Sequence, residues 1–77
     1  MKIKEIGIEI KKRRSYLHIT QQDLVEITGI SRRSLQYIEK GQMNPSIEQL
    51  EKILDAIGLE LIIRTKAHGW EKSSSLL

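Results

Sequence analysis

Apolar positions recur at helical spacing through the first 58 residues. Ile3, Ile6, Ile10 and Leu17 predict an amphipathic first helix over 3–16, with Lys4, Lys11, Lys12 and Arg13 on its outer side. Thr20 stands ahead of Gln21-Gln22-Asp23, an N-cap with a carboxylate in the first turn. A second helix over about 21–27 follows, with Leu24, Val25 and Ile27 available to a core. Gly29 ends it, as glycine past a helix end commonly does. Ser31 caps a third helix over 32–40, closed by Gly41. Asn44-Pro45-Ser46 makes a turn, and Ser46 with Gln49 has capping-box spacing. Ile47, Leu50, Ile53, Leu54 and Ile57 form the buried face of a fourth helix that stops at Gly58.

After Gly58 the period changes from helical to alternating. In "LELIIRT", 59–65, Leu59, Leu61 and Ile63 fall on one face and Glu60, Ile62 and Arg64 on the other, the pattern of a strand. One strand cannot satisfy its own ladder, so the simplest partner is the same segment of a second copy, through Leu59, Leu61, Ile62 and Ile63. The competing reading lets 59–65 extend the fourth helix. Residues 66–77, "KAHGWEKSSSLL", have no periodicity and read as a flexible tail. The expected fold is therefore mainly α: a four-helix domain over 1–58, a C-terminal strand over 59–65 that forms a two-stranded sheet in a homodimer, and the tail.

At 77 residues the chain is one small domain with a modest core, and without cysteine it has neither disulfides nor a thiolate zinc site to reinforce it. No apolar run approaches a membrane span, and Met1–Ile10 is too charged for a signal peptide, so the expected location is the cytoplasm. The net charge is only +3, but "KKRR" at 11–14 and Arg32-Arg33 hold six of the thirteen basic residues. Local clusters of this kind are the footprint of a nucleic-acid surface, and equally of a solvated helix face.

The stretch "TGISRRSLQYIEKG", 28–41, separates these two readings. At about 100° per residue, positions 32, 36, 40, 33 and 37 share an arc of roughly 140°. Leu35 and Ile38 lie outside it as an apolar seam. A helix anchored on one side, donor-rich on the other and preceded by a glycine turn has the layout of a helix-turn-helix. Such a helix fits the major groove of double-stranded DNA. An arginine fork suits guanine, Gln36 suits adenine, and Tyr37 suits a thymine methyl or a phosphate. Gln21, at a helix start, is placed to clamp a phosphate.

Residues 19–58 resemble the Cro/C1-type (XRE-like) helix-turn-helix family, on Thr20-Gln21, Leu24, Gly29, Ser31, Leu35, Ile38-Glu39, Gly41, Asn44-Pro45-Ser46 and Leu50, Ile53 and Gly58. Two positions depart: Val25 stands where alanine is usual and Thr28 where an aliphatic residue is. The resemblance implies that Ser31, Arg32, Arg33, Gln36 and Tyr37 read bases and that Gln21 contacts a phosphate. It also implies that Lys40, Gln42 and Asn44 approach the backbone, and that Arg14 and Glu39 form a scaffold ion pair. The segment "GLELIIRT" is similar to the C-terminal strand of HipB-type antitoxins, which implies a dimer on a pseudo-palindromic operator, autoregulation of a toxin–antitoxin operon and a HipA-type kinase toxin as partner. Trp70 would then be an anchor for that partner; the alternative is that it packs on its own domain or is loose.

Chemistry beyond binding finds little support. His18 and His68 lie far apart, without the further ligands a metal needs, and the carboxylates of helices two and four lack an enclosure to tune them. The glycines Gly7, Gly29, Gly41 and Gly58 read as punctuation, not as a phosphate-cradling loop. The expectation is a non-enzyme with neither metal nor cofactor: a sequence-specific repressor, or else an interaction module that keeps the scaffold while its main task is to neutralise a protein partner.

Overall fold

The computed structural model of the protein describes residues 2–65. The tail over 66–77, with Trp70, lies outside the described residues. Four helices follow one another: α1 (Ile3–Tyr16), α2 (Gln21–Thr28), α3 (Arg32–Glu39) and α4 (Ile47–Ala56).

Their ends are set by the caps that the sequence carries. Thr20 Oγ1 accepts from the Asp23 amide at 3.0 Å while Asp23 accepts from the Thr20 amide at 2.8 Å. Ser46 and Gln49 make the same reciprocal pair at 3.1 Å in each direction. Each box satisfies two of the amides that a helix start leaves without partners. Helix α2 ends at Gly29, whose φ of 75° is a left-handed conformation that a residue with a Cβ adopts at a cost.

Among the described residues nine side chains form the core: Ile10, Leu24, Ile30, Leu35, Ile38, Leu50, Ile53, Leu54 and Ile57. Each full burial of an aliphatic side chain is worth about 1.5–3 kcal/mol. Helix α3 packs against α1 and α2, and α2 also packs against α4, so the segment that carries the basic face is fastened from two sides. The approach of α1 to α3 is unusually close because Gly7 lies at the crossing. A Cβ there would come within 2.6 Å of the Glu39 carbonyl oxygen and would also strike that of Ile38. Gly7 is thus not punctuation but a contact surface in the middle of a helix.

Several expected core positions are instead exposed. Ile27 and Ile47 are 60% and 63% open to solvent. In α2 the inward seam runs through Leu24 and the half-buried Val25 and Thr28, which rotates Ile27 outward. Ile47 is the first residue of α4 and projects from its open end. Leu17 is the C-cap of α1, where helical spacing no longer governs direction, and it too is exposed. The buried Ile30, from the turn itself, takes a core place that no helix periodicity announced. Arg13 is not outer decoration: its Nε donates to the Ile57 carbonyl at 2.9 Å and closes the C-terminal end of α4.

Gly58, at φ 72°, ends helical structure, so 59–65 does not prolong α4. Leu59 and Leu61 pack onto the core and Glu60 and Ile62 face out, but the alternation lapses at Ile63, which is 93% exposed. Within the described residues this segment pairs with no strand. No described helix is long and apolar enough to cross a membrane.

Candidate nucleic-acid interface

A buried carboxylate fastens the three helices around the basic face. Glu39, at the end of α3, accepts a forked pair from Arg14 of α1, with Nε to Oε2 at 2.8 Å and the second guanidinium nitrogen to Oε1 at 3.0 Å. Gln21 of α2 donates its amide to the same Oε1 at 3.1 Å. The remaining Arg14 nitrogen donates to the Ile19 carbonyl at 3.0 Å, so the α1–α2 turn is held as well. The hydrogen bond to Glu39 raises the Arg14 pKa, against a smaller lowering by burial. The expected scaffold pair is present, and it includes Gln21.

The turn between α2 and α3 is stitched by Thr28, one of the two positions that depart from the usual residue types. Thr28 Oγ1 donates to the Leu24 carbonyl at 2.6 Å and accepts from the Ile30 amide at 3.1 Å. A hydroxyl therefore serves where an aliphatic side chain is usual, and it satisfies two backbone groups of the turn. Only that departure from the usual residue type marked Thr28 in the sequence. Ser31 then caps α3, its Oγ accepting from the Ser34 amide at 3.1 Å and donating to the Ser34 hydroxyl at 3.0 Å. That hydroxyl already serves the helix end.

Arg32, Arg33, Gln36 and Tyr37 are all exposed on α3, on the side away from the buried Leu35 and Ile38. The Arg33 guanidinium lies 5.7 Å from the centroid of the Tyr37 ring, which restrains both side chains. Neither Arg32 nor Arg33 has a carboxylate partner among the described residues, so their charge is available to a ligand. Two shallow grooves flank the helix. One, at its start, is lined by Arg14, His18, Gln21 and Arg32. The other, at its end, is lined by Lys4, Lys11, Lys12, Lys40 and Gln42, and Ser15 borders both. Gln21 and Arg32 thus share one groove, and Lys40 and Gln42 share the other. Asn44 is exposed in the α3–α4 turn. Arg14 and Glu39 form the largely buried floor of these grooves, engaged with each other.

A family model described as helix-turn-helix matches residues 10–63, which takes in three of the four helices whole and the last turns of α1. The chain belongs to the helix-turn-helix family. Within that family the XRE-like resemblance holds, and the chain carries the DNA-binding type of helix-turn-helix found in transcriptional regulators. It is 36% identical over 53 residues to an uncharacterised helix-turn-helix regulator of Methanothermobacter thermautotrophicus, covering 69% of this chain and 77% of that one. It is 36% identical over 58 residues to the ImmF control region 10 kDa protein of Bacillus phage phi105, covering 75% of this chain and 64% of the phage protein. Its fold is that of the restriction-modification controller protein C.AhdI from Aeromonas hydrophila, with a TM-score of 0.71, 24% identity, and 75% and 88% of the two chains covered.

Proposed function

We propose that the protein is a homodimeric, sequence-specific repressor that reads its operator with α3. Ser31, Arg32, Arg33, Gln36 and Tyr37 contact base edges, while Gln21, Lys40, Gln42 and Asn44 contact phosphates on either side. The observation that carries this reading is the exposed Arg32 and Arg33, without a carboxylate partner among the described residues, on a helix that buried packing and the Glu39 network hold at a fixed angle. A planar guanidinium in the major groove bonds guanine O6 and N7 together, and such a pair discriminates by about 1–3 kcal/mol. The Arg33–Tyr37 stack favours this role, because it limits the freedom that binding would otherwise have to freeze out. Repression accords with relatives whose names place them in a phage control region and in the control of restriction-modification.

The dimer rests on 59–65. Ile62 and Ile63 are 64% and 93% exposed beside the half-buried Leu59 and Leu61, an apolar edge that a second copy would cover. Two α3 helices would then meet a pseudo-palindromic site. Proline at Leu61 or Ile63 removes a ladder amide and should yield monomers, and an unchanged dimer mass would overturn the intermolecular sheet. An antitoxin role with a HipA-type kinase toxin is supported by the resemblance of this same segment to HipB-type strands. In that case the purified protein would bind such a kinase at its operator-binding concentration.

Selection from random duplex DNA tests the principal reading, with the wild type run beside a variant carrying Arg32→Ala and Arg33→Ala. The expected outcome is an inverted repeat enriched by the wild type and lost by the variant. Absence of any enriched site would turn the assignment towards the interaction-module reading, in which DNA affinity is weak and indifferent to sequence.

A further inference from the structure

Helix α1 divides its charges between two sides. At about 100° per residue, Lys11, Lys4 and Ser15 fall within an arc of roughly 40° next to Gly7 and Arg14, the side that meets α3. Glu5 and Glu9 fall on the far side, where they border an apolar groove with Ile6, Leu54 and Leu61. Lys12 stands at the boundary, 3.8 Å from Glu9. The basic side is continuous with the end of α3. A Cβ on Gly41 would lie only 2.8 Å from the Lys4 Cα, so the start of α1 rests directly on the turn that presents Lys40 and Gln42. Lys4, Lys11 and Lys40 have no ion-pair partner among the described residues. The one carboxylate lining this groove, Glu39, is buried and engaged by Arg14.

We propose that Lys4 and Lys11 of α1, with Lys40 and Gln42, form a second phosphate track that holds the DNA backbone outside the half-site read by α3. The inference rests on the DNA reading above and extends it. A concave surface with three unpaired ammonium groups and no free carboxylate has the charge of a polyanion site, and compact, flexible lysine heads suit phosphates better than base edges. The track therefore adds affinity on every sequence and no discrimination. Its effect is to lengthen the footprint along the duplex and to steepen the loss of affinity with salt.

The test compares the wild type with a variant carrying Lys4→Gln and Lys11→Gln, and with Lys52→Gln, which removes a charge from α4 away from the groove. Affinity for the selected operator and for a random duplex is measured from low to moderate salt, with hydroxyl-radical footprints of the operator complex. The double variant should flatten the slope of log K against log salt by about 2 for each protomer bound, about 4 for the dimer, on both duplexes alike. It should also lose protected backbone positions at the outer flanks and keep the operator-to-random ratio. Lys52→Gln should keep those protections. An unchanged slope and footprint in the double variant would overturn the track while leaving the operator reading intact, and the basic groove would then suit an acidic protein surface. A wild type that binds no duplex would overturn both. A changed operator-to-random ratio would also overturn the track as drawn, since it would make these lysines part of base readout.

Discussion

Arg14 and Glu39 form a forked ion pair across the α1–α3 interface, and Gln21 from α2 completes it. The Glu39 side chain is only 3% exposed and that of Arg14 14%. Removing one partner therefore has a different consequence from removing both. Arg14→Ala leaves a buried carboxylate with one amide donor, and the expected loss is about 3–5 kcal/mol. That is a large fraction of the roughly 5–15 kcal/mol of a whole domain. Arg14→Met combined with Glu39→Leu should recover most of it, because apolar groups of similar volume need no counter-charge. Urea unfolding of the double-mutant cycle measures this. Additive losses would mean that the pair contributes no coupling.

Gly7→Ala pits helix propensity against packing. Alanine in a helix interior gains up to about 1 kcal/mol over glycine. The new methyl would meet two α3 carbonyl oxygens, which are backbone and cannot swing aside. Overpacking of this kind costs about 1–3 kcal/mol, so the net effect is a loss. Gly29→Ala meets no atom within 4 Å, and its only cost is the left-handed backbone at φ 75°. Asparagine at residue 29 should restore much of that stability, whereas no small side chain should do so at residue 7. Thermal unfolding of the three variants beside the wild type gives the comparison. A Gly7→Ala protein as stable as the wild type would mean that α1 moves freely on α3.

The helix boundaries were legible because their signals are local chemistry. Thr20 with Asp23, Ser46 with Gln49, and Gly29 and Gly58 each act within a turn or so of where they stand, and the helices start and stop within a residue of the expected places. Which residues enter the core was legible only where the periodic run was long. Helices α2 and α3 have eight residues each, about two turns, and a rotation of one position exchanges Ile27 for Thr28. Ile30 gave no periodic signal because it sits in the turn, and Gly7 gave none because close approach is a property of the opposite helix. Arg13 was misread because its long side chain reaches past the edge of α1 to the Ile57 carbonyl. The Arg14–Glu39 pair, 25 residues apart, came from the family resemblance, since no spacing rule joins α1 to α3.

Arg13→Met should test that reach. The methionine retains an apolar stem while removing the donor to the last carbonyl of the α4 turn. A charge-assisted hydrogen bond that is half-buried should be worth about 1–2 kcal/mol. The loss should appear as faster amide exchange at Ile57–Leu59, where α4 ends, with the exchange of α3 unchanged. Uniform acceleration through the whole domain would show that Arg13 supports the fold globally and not this helix end.

Asp23 gives the pH dependence its sign. The Thr20 amide and hydroxyl hydrogen-bond the carboxylate, and the backbone bond is the larger cause of a pKa below the usual aspartate value, with desolvation opposing it slightly. A carboxyl that is more acidic folded than unfolded stabilises the fold above its unfolded pKa, near 3.9. That contribution is lost as the pH falls through the folded value. The wild type should therefore lose stability on acidification below about pH 4 more steeply than Asp23→Asn, which keeps a cap acceptor without the charge. At pH 7 the variant should be the less stable of the two, because the helix start also favours the negative carboxylate. Denaturant midpoints at a series of pH values measure both. Parallel pH profiles for the two proteins would mean that Asp23 titrates alike in the folded and unfolded chains, and that the Thr20–Asp23 box acts by geometry alone.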